Sequence, residues 1–314
     1  MEGVYKNMRL QLNKGIILFS IGMLLLLAGC QSGDGDGDTA DGDGEENNAE
    51  ANEVDEIVGI DPGSGTMEIA RETVDAYNLE AELTPSSEPA MITDLQNAIE
   101  NEEPIVVTLW QPHWMFSKHD LKFLEDPKET LGASENIHTM VRQGLEDEHP
   151  SAYQLLENFY WEVADMNSVM LKFSQDEDVE PRDAAKEWIA DNRDKVDSWM
   201  EGIEPVDDET VELAYINWDT ELSSTNVVTL VLEELGYNVE LTSLDMGIAF
   251  ESLSEGDVDG MLIAWLPVGA ASYAEQYKDE IVDMGPNLEG AQQGFVVPEY
   301  MDIDSIEDLP TESE

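Results

Sequence analysis

The feature that most limits how this chain can fold is a pattern that occurs twice. From Ile57 to Trp110 the sequence reads as strand (IVGI), helix (TMEIARETVDAYN), strand (EAEL), helix (PAMITDLQNAIE) and strand (PIVVTLW). From Val211 to Trp265 the order is the same: VELAYINW, SSTNVVTLVLEELGY, NVELTSL, GIAFESLSEG and GMLIAW. Strands that alternate with helices are joined by crossovers, so each segment predicts a parallel sheet, and the duplication predicts an α/β protein of two similar lobes. Trp110, Trp218 and Trp265 sit at the carboxyl ends of these apolar runs. In open α/β sheets that end faces the crevice where ligands bind. Indole faces there suit a permanently charged cation with no N–H to donate, because the ring quadrupole attracts it. Core packing of each indole is the competing reading, and the residues alone leave both open.

Between the repeats, helices are expected around ENIHTMVRQGL, AYQLLENFYWEVADMNSVML and AAKEWIADNRDKVDSWMEGI, after a shorter apolar piece, LKFLEDP. Trp161, Trp188 and Trp199 fall at apolar positions of these helices and read as packing residues. After Trp265 a helix over SYAEQYKDEIVDM leads to GFVVPEYM, an apolar strand expected to cross back to the first lobe. The last residues read as a short helix and a frayed end.

The amino-terminal residues carry an address. Lys6, Arg9 and Lys14 precede the apolar stretch IILFSIGMLLLLA, which is too short to span a bilayer and fits a signal-peptide core over residues 1–29. It runs into Leu27-Ala28-Gly29-Cys30, the form of a bacterial lipobox, which predicts cleavage before Cys30 and lipid on its sulfur. With acyl chains as the anchor, the mature protein is expected at the outer face of the cytoplasmic membrane. Cys30 is the sole cysteine, so a disulfide within one chain is excluded. Residues 30–56 carry eleven acidic side chains and no basic ones, a composition that self-repels and reads as an extended tether.

Few residues elsewhere carry chemistry. The loop Gly59-Ile60-Asp61-Pro62-Gly63-Ser64-Gly65 follows a strand and opens a helix, so its backbone N–H groups make an anion site without a basic side chain. An ordinary turn capped by Ser64 explains it equally well. No Lys-Ser/Thr follows Gly65 and no nucleophile elbow surrounds Ser64. His113, His119, His138 and His149 show no metal-ligand spacing, and His113 reads as a structural hydrogen-bonding residue. No catalytic residue, metal ligand or cofactor is assigned. A secreted α/β hydrolase is the alternative from another class, and it would need an ordered nucleophile and base that the sequence does not offer.

IVGIDPGSGTMEI, SSEPAM, PIVVTLWQPHWMF, LKFLEDP, IHTMVRQG, AYINWDTELSSTNVV, VLEELGY, AWLP and GFVVPEYM together resemble the substrate-binding lipoproteins of ABC importers for glycine betaine and proline betaine, across essentially all of residues 57–310. The chain is similar to the branch whose two halves are exchanged in order. The resemblance implies a two-lobed periplasmic-binding-protein-like fold of type II with the ligand in the cleft. Lobe A then takes 57–110 plus about 292–314, and lobe B about 111–291. It further implies a cage of Trp110, Trp218 and Trp265 around a trimethylammonium group, with the ligand carboxylate on the backbone N–H groups of Gly59 and Ile60. Relatives carry a histidine where this chain has Ala270. The implied function is extracytoplasmic binding of glycine betaine, or of choline, carnitine or proline betaine, for delivery by a monomer to a permease and its ATPase. Osmoprotection would be the outcome.

The net charge of −57 includes +2 from residues 1–29 and −11 from the tether, which leaves −48 on residues 57–314. Nucleic acid is a poor partner for such a field. Like charges at this density repel across the surface unless salt screens them, the mark of a protein adapted to brine. The thermal midpoint is expected to rise steeply between about 0.1 M salt, where the Debye length is ~10 Å, and 1 M, where it is ~3 Å. A midpoint that stays flat across that range in a melting series would remove the brine reading.

Overall fold

The structure is a computed structural model that describes residues 54–132, 134–176 and 178–312. The signal peptide, Cys30 and nearly all of the acidic tether lie outside the described residues. Val54 is already buried and the first strand starts at Glu56, so the folded part begins slightly before Ile57.

In chain order the elements are β1 (Glu56–Val58), α1 (Gly65–Tyr77), β2 (Glu82–Thr84), α2 (Glu88–Asn101), β3 (Val106–Gln111), α3 (Met115–Lys118), β4 (Leu121–Phe123) and β5 (Glu135–Arg142). They continue with α4 (Leu145–Glu148), α5 (Pro150–Asn158), α6 (Val163–Gln175), α7 (Pro181–Asp191), α8 (Arg193–Met200), β6 (Glu209–Tyr215) and α9 (Asp219–Glu234). β7 (Tyr237–Ser243), α10 (Met246–Glu255), β8 (Gly260–Leu266), α11 (Ala271–Gln276) and β9 (Ile281–Pro298) follow, with a 3-10 turn at Ile306–Asp308. The two expected strand–helix repeats are present: β1 pairs in parallel with β2 and β3, and β6 with β7 and β8. The α/β class follows from these ladders.

Local chemistry explains the helix ends that matter. Ser64 caps α1, its hydroxyl accepting the Met67 N–H at 3.2 Å, and Asn78 closes the helix in the left-handed region at φ 54°. Met67, Ala70, Thr73 and Tyr77 repeat at helical spacing and form the buried face of α1. α9 is buried on nearly every side, from Thr220 to Leu232, which is why its small and β-branched residues show little amphipathic contrast. Its two serine hydroxyls donate to the preceding turn, Ser223 to the Asp219 carbonyl at 2.8 Å and Ser224 to the Thr220 carbonyl at 3.3 Å.

Three expectations need correction. ENIHTMVRQGL was expected to be helical, but Glu135–Arg142 is strand β5, flanked by β8 and β9 and buried with a mostly alternating pattern. Its β-branched Ile137, Thr139 and Val141 all point inward, and pairing on both sides overrides the helix-forming Glu, Met and Arg. The helix expected over SYAEQYKDEIVDM ends at Gln276, and Ile281 already belongs to β9. β4, expected in lobe B, instead pairs with β9 beside β3, and Leu124 and Leu131 pack with Ile57 and Phe295. Residues 121–131 therefore belong to the first group of strands.

β9 ties the two groups together. Its Ile281–Ala291 stretch lies antiparallel to β5, and its Gln292–Val296 stretch lies antiparallel to β3. Phe159, Trp161, Trp188 and Trp199 make a separate aromatic cluster with ring centroids 5.0 to 6.1 Å apart, so these tryptophans pack the core.

Ile137 lies fully buried at the centre of β5, opposite Trp265 on one side and Leu288 on the other. Ile137→Ala is expected to lower the unfolding free energy by about 2–5 kcal/mol through lost contact and residual cavity. Denaturant titration in molar salt measures it, and a loss below about 1 kcal/mol would show that β5 does not anchor the core.

Candidate functional site

The three strand-end tryptophans meet. Trp110 ends β3, Trp218 precedes the first turn of α9, and Trp265 lies near the end of β8. The three side chains converge on one small cavity. Thr66, Met246, Gly269 and Gln293 complete its lining. The indoles are no more than 5% exposed, so little of their surface meets solvent. Trp110 and Trp218 stand with ring centroids 5.7 Å apart and planes tilted by 44°, adjoining walls rather than a stack.

No basic side chain lines this space. Its polar wall is a chain of hydrogen bonds: the Thr66 hydroxyl donates to Gln293 Oε1 at 2.6 Å, and Gln293 Nε2 donates to Glu135 Oε2 at 2.5 Å. The other oxygen of Glu135 accepts the backbone N–H groups of Val268 (3.1 Å) and Gly269 (2.6 Å). Glu135 can only accept here, so it fixes the Gln293 amide with its oxygen toward Thr66. Register brings Gln293 to this wall, since it lies directly opposite Trp110 across the β3–β9 ladder.

Gly59 and Ile60 do not line the cavity. The Gly59 N–H donates to the Thr84 carbonyl at 2.8 Å, extending the β1–β2 ladder, and Ile60 is fully buried. The polar end of the cavity is at Thr66, in the first turn of α1, where helix N–H groups lack intrahelical acceptors. Gly65 is there because nothing larger fits: a Cβ would lie 1.5 Å from the Gly269 carbonyl oxygen. Ala270, fully buried at the start of α11, adds no polar group.

Beneath the cavity lies a set of buried acids that sequence reasoning missed. Glu88 takes the His113 Nε2–H at 2.9 Å and the Asp219 N–H at 3.0 Å. His113 Nδ1 accepts the Met115 N–H at 3.2 Å, so the ring is neutral, and burial holds its pKa down at about 4. Its contact with Glu88 is therefore a neutral-donor hydrogen bond and not an ion pair. Burial raises Glu88 to about 8 against the opposing pull of the Asp219 N–H, and it raises Asp219 to about 6, with the neighbouring Glu88 charge adding to the effect. Asp219 Oδ2 also accepts the Trp114 indole N–H at 2.6 Å. Glu88, His113 and Asp219 each offer an atom within 4.8 Å of the others, the spacing of a metal site, but these hydrogen bonds already occupy the nitrogens and oxygens that would ligate. Glu221, fully buried on α9, is pushed up to about 8 chiefly by burial; its Oε2 has no partner among the described residues. An acidic residue inside a run of Thr, Ser and Asn on an otherwise buried helix was the available sign of it.

Comparison with known proteins gives the family. The model of the family described as the substrate-binding domain of ABC-type glycine betaine transport systems matches residues 39–191 and 209–314. The glycine betaine/carnitine transport binding protein of Listeria monocytogenes is 46% identical over 259 residues, 81% of this chain and 86% of that protein. Among solved structures, lactococcal OpuAC, closed and complexed with glycine betaine, is 46% identical at a TM-score of 0.45, over 47% of this chain and 58% of that one. The glycine betaine, L-proline transporter binding protein of Borrelia burgdorferi is 36% identical at a TM-score of 0.46, over 50% and 59%. The chain thus spans less than two thirds of each of these two solved chains.

The buried acids make stability depend on pH. Glu221 holds its proton more tightly folded than unfolded, so the stability it confers is complete below about pH 4.5 and is lost as pH rises through about 8. Glu88 acts in the same sense, whereas the stability from neutral His113 is complete above 6.5 and is lost as pH falls through about 4. Above pH 6.5 the carboxyl groups alone among these change, so the thermal midpoint in molar salt is expected to fall between pH 6.5 and 8.5. Glu221→Gln should flatten the decline; a wild-type midpoint that rises over this interval would refute the assignment.

Proposed function

The chain belongs to the family of substrate-binding domains of ABC-type glycine betaine transport systems, and from that premise we propose that its tryptophan-lined cavity holds the trimethylammonium group of glycine betaine between Trp110, Trp218 and Trp265. The observation that carries this is three buried indoles around one small space whose lining contains no cationic side chain. Desolvated cation–π contacts reach about 2 kcal/mol each, so three contribute most of a micromolar affinity of about −8 kcal/mol. Being short-ranged and buried, they keep their strength in salt that screens surface ion pairs. The ligand carboxylate lies toward the first turn of α1, on the backbone N–H groups of Gly65 and Thr66 in place of Gly59 and Ile60, while the Thr66 hydroxyl proton stays on Gln293. Two lobes that meet at β9 close over it.

The protein is a binding component and not an enzyme, as its matched relatives are transport proteins. It passes its ligand to a membrane permease driven by an ATPase, for osmoprotection in brine. Cys30 carries the lipid that retains it as a monomer at the outer face of the cytoplasmic membrane, and the acidic segment is the tether. Carnitine is the second reading, because the Listeria relative is named for both ligands. Choline and proline betaine complete the panel.

Calorimetry in molar salt against glycine betaine, carnitine, choline and proline betaine tests the reading. Glycine betaine is expected to bind best, and replacing any one of Trp110, Trp218 or Trp265 by Ala is expected to weaken it at least about tenfold, the loss of one aromatic contact. Wild-type affinity in all three variants would remove the cage; choline binding as tightly as betaine would remove the carboxylate site.

A further inference from the structure

Two of the three cavity indoles end on a carboxyl group at their N–H edge. Trp218 Nε1–H donates to Asp61 Oδ2 at 2.8 Å, and Trp265 Nε1–H donates to Glu221 Oε1 at 3.3 Å. The third, Trp110, has a buried Nε1 without a partner among the described residues. The two acids differ in origin. Glu221 stands on α9, in the same strand group as Trp265, whereas Asp61 comes from the loop between β1 and α1 and reaches Trp218 at the head of α9. The Asp61 bond therefore spans the crevice.

The loop that carries Asp61 does not need its side chain. The Asp61 carbonyl takes the Ser64 N–H at 2.9 Å, and Arg71 Nη2 donates to the Pro62 carbonyl at 3.0 Å, so backbone groups hold the turn. What the side chain contributes is its contact with the indole. It does so half-exposed beside a second, open groove that Trp218, Ser87 and Asp245 also line, where water competes for both groups. A bond kept under that competition fixes the angle at which Trp218 faces the cavity. An indole has a negative face and a positive edge, and a cation is drawn to the face. A carboxylate on the edge N–H offsets the positive rim and deepens the potential that the cation meets.

We infer that Asp61 is a positioning residue for cation recognition: across the crevice it sets the orientation of Trp218 and strengthens the face that the ligand's ammonium group contacts. This rests on the reading that the cavity takes a quaternary ammonium ligand. Its consequence is that the third wall is completed only when the two strand groups come together, so closure and affinity are linked through one hydrogen bond. Glu221 orients Trp265 from within its own group and provides no such link.

The test compares wild type, Asp61→Asn and Asp61→Ala as full-length chains in molar salt, with glycine betaine as the probe. Calorimetry gives the affinity, thermal melting checks the fold, and the indole N–H resonances report the bond itself. Asn keeps an acceptor and loses the charge; Ala loses both. The expected order is wild type, then Asn weaker by three- to tenfold, then Ala weaker by more than tenfold, with melting midpoints nearly unchanged. One indole proton should move upfield in both variants, further in Ala. Wild-type affinity in both variants overturns the proposal, and equal losses in the two overturn the orienting role. An Asn variant equal to wild type overturns the charge role. A wild-type chain that binds no quaternary ammonium overturns the functional reading and this inference with it, whereas wild-type binding with indifferent variants overturns this inference alone.

Discussion

β9 is eighteen residues long, and its backbone donors and acceptors serve both groups of strands: β5 from Ile281 to Ala291, then β3 and β4 from Gln292 onward. A strand cannot slip by one residue without turning its whole buried set outward, so this ladder fixes the alignment of one group against the other. The site inherits that alignment. Trp110 is set opposite Gln293, Trp265 lies across β8–β5 from Ile137, and Glu135 begins β5 where it can hold Gln293 and the Gly269 backbone together. Cavity walls that are distant in sequence are thus neighbours in one continuous hydrogen-bonded sheet.

Acidic residues play opposite parts inside and outside. On the surface they are numerous and mutually repelling. Glu88, Glu135 and Glu221 are inside, where an ionised carboxyl is costly unless donors surround it. Glu135 has three such donors and Glu88 two, while Glu221 has the Trp265 indole and one bare oxygen. This gradation of partners places Glu221 as the group with least to hold a charge. These acids also spend their hydrogen bonds on parts of the cavity wall, so the same residues that burden the core keep the indoles and the amide in place.

Much of the architecture was legible because the strand–helix alternation recurs, and two matching copies constrain each other. β5 was not, since an eight-residue segment with Glu, Met and Arg at intervals fits either period, and its two flanking ladders involve residues more than a hundred positions away. The indoles could be found because strand ends are visible in sequence. Thr66 and Gln293 could not, because the first depends on where α1 starts and the second on the β3–β9 register. The resemblance implied Gly59 and Ile60 for the ligand carboxylate, while in the fold the ladder to Thr84 continues one residue past β1 and uses the Gly59 N–H. Ser64, not the first glycine, decides where the free N–H groups begin.

The contact between Gly65 and Gly269 has a mechanical meaning. The two backbones touch at the cavity itself, and the carbonyl on one side cannot swing away as a flexible side chain would. A single methyl group introduced at that point would act as a doorstop, forcing the first turn of α1 away from the Gly269 backbone. In this molecule the absence of a side chain at one α-carbon lets α1 and the Gly269 backbone meet beside the tryptophans.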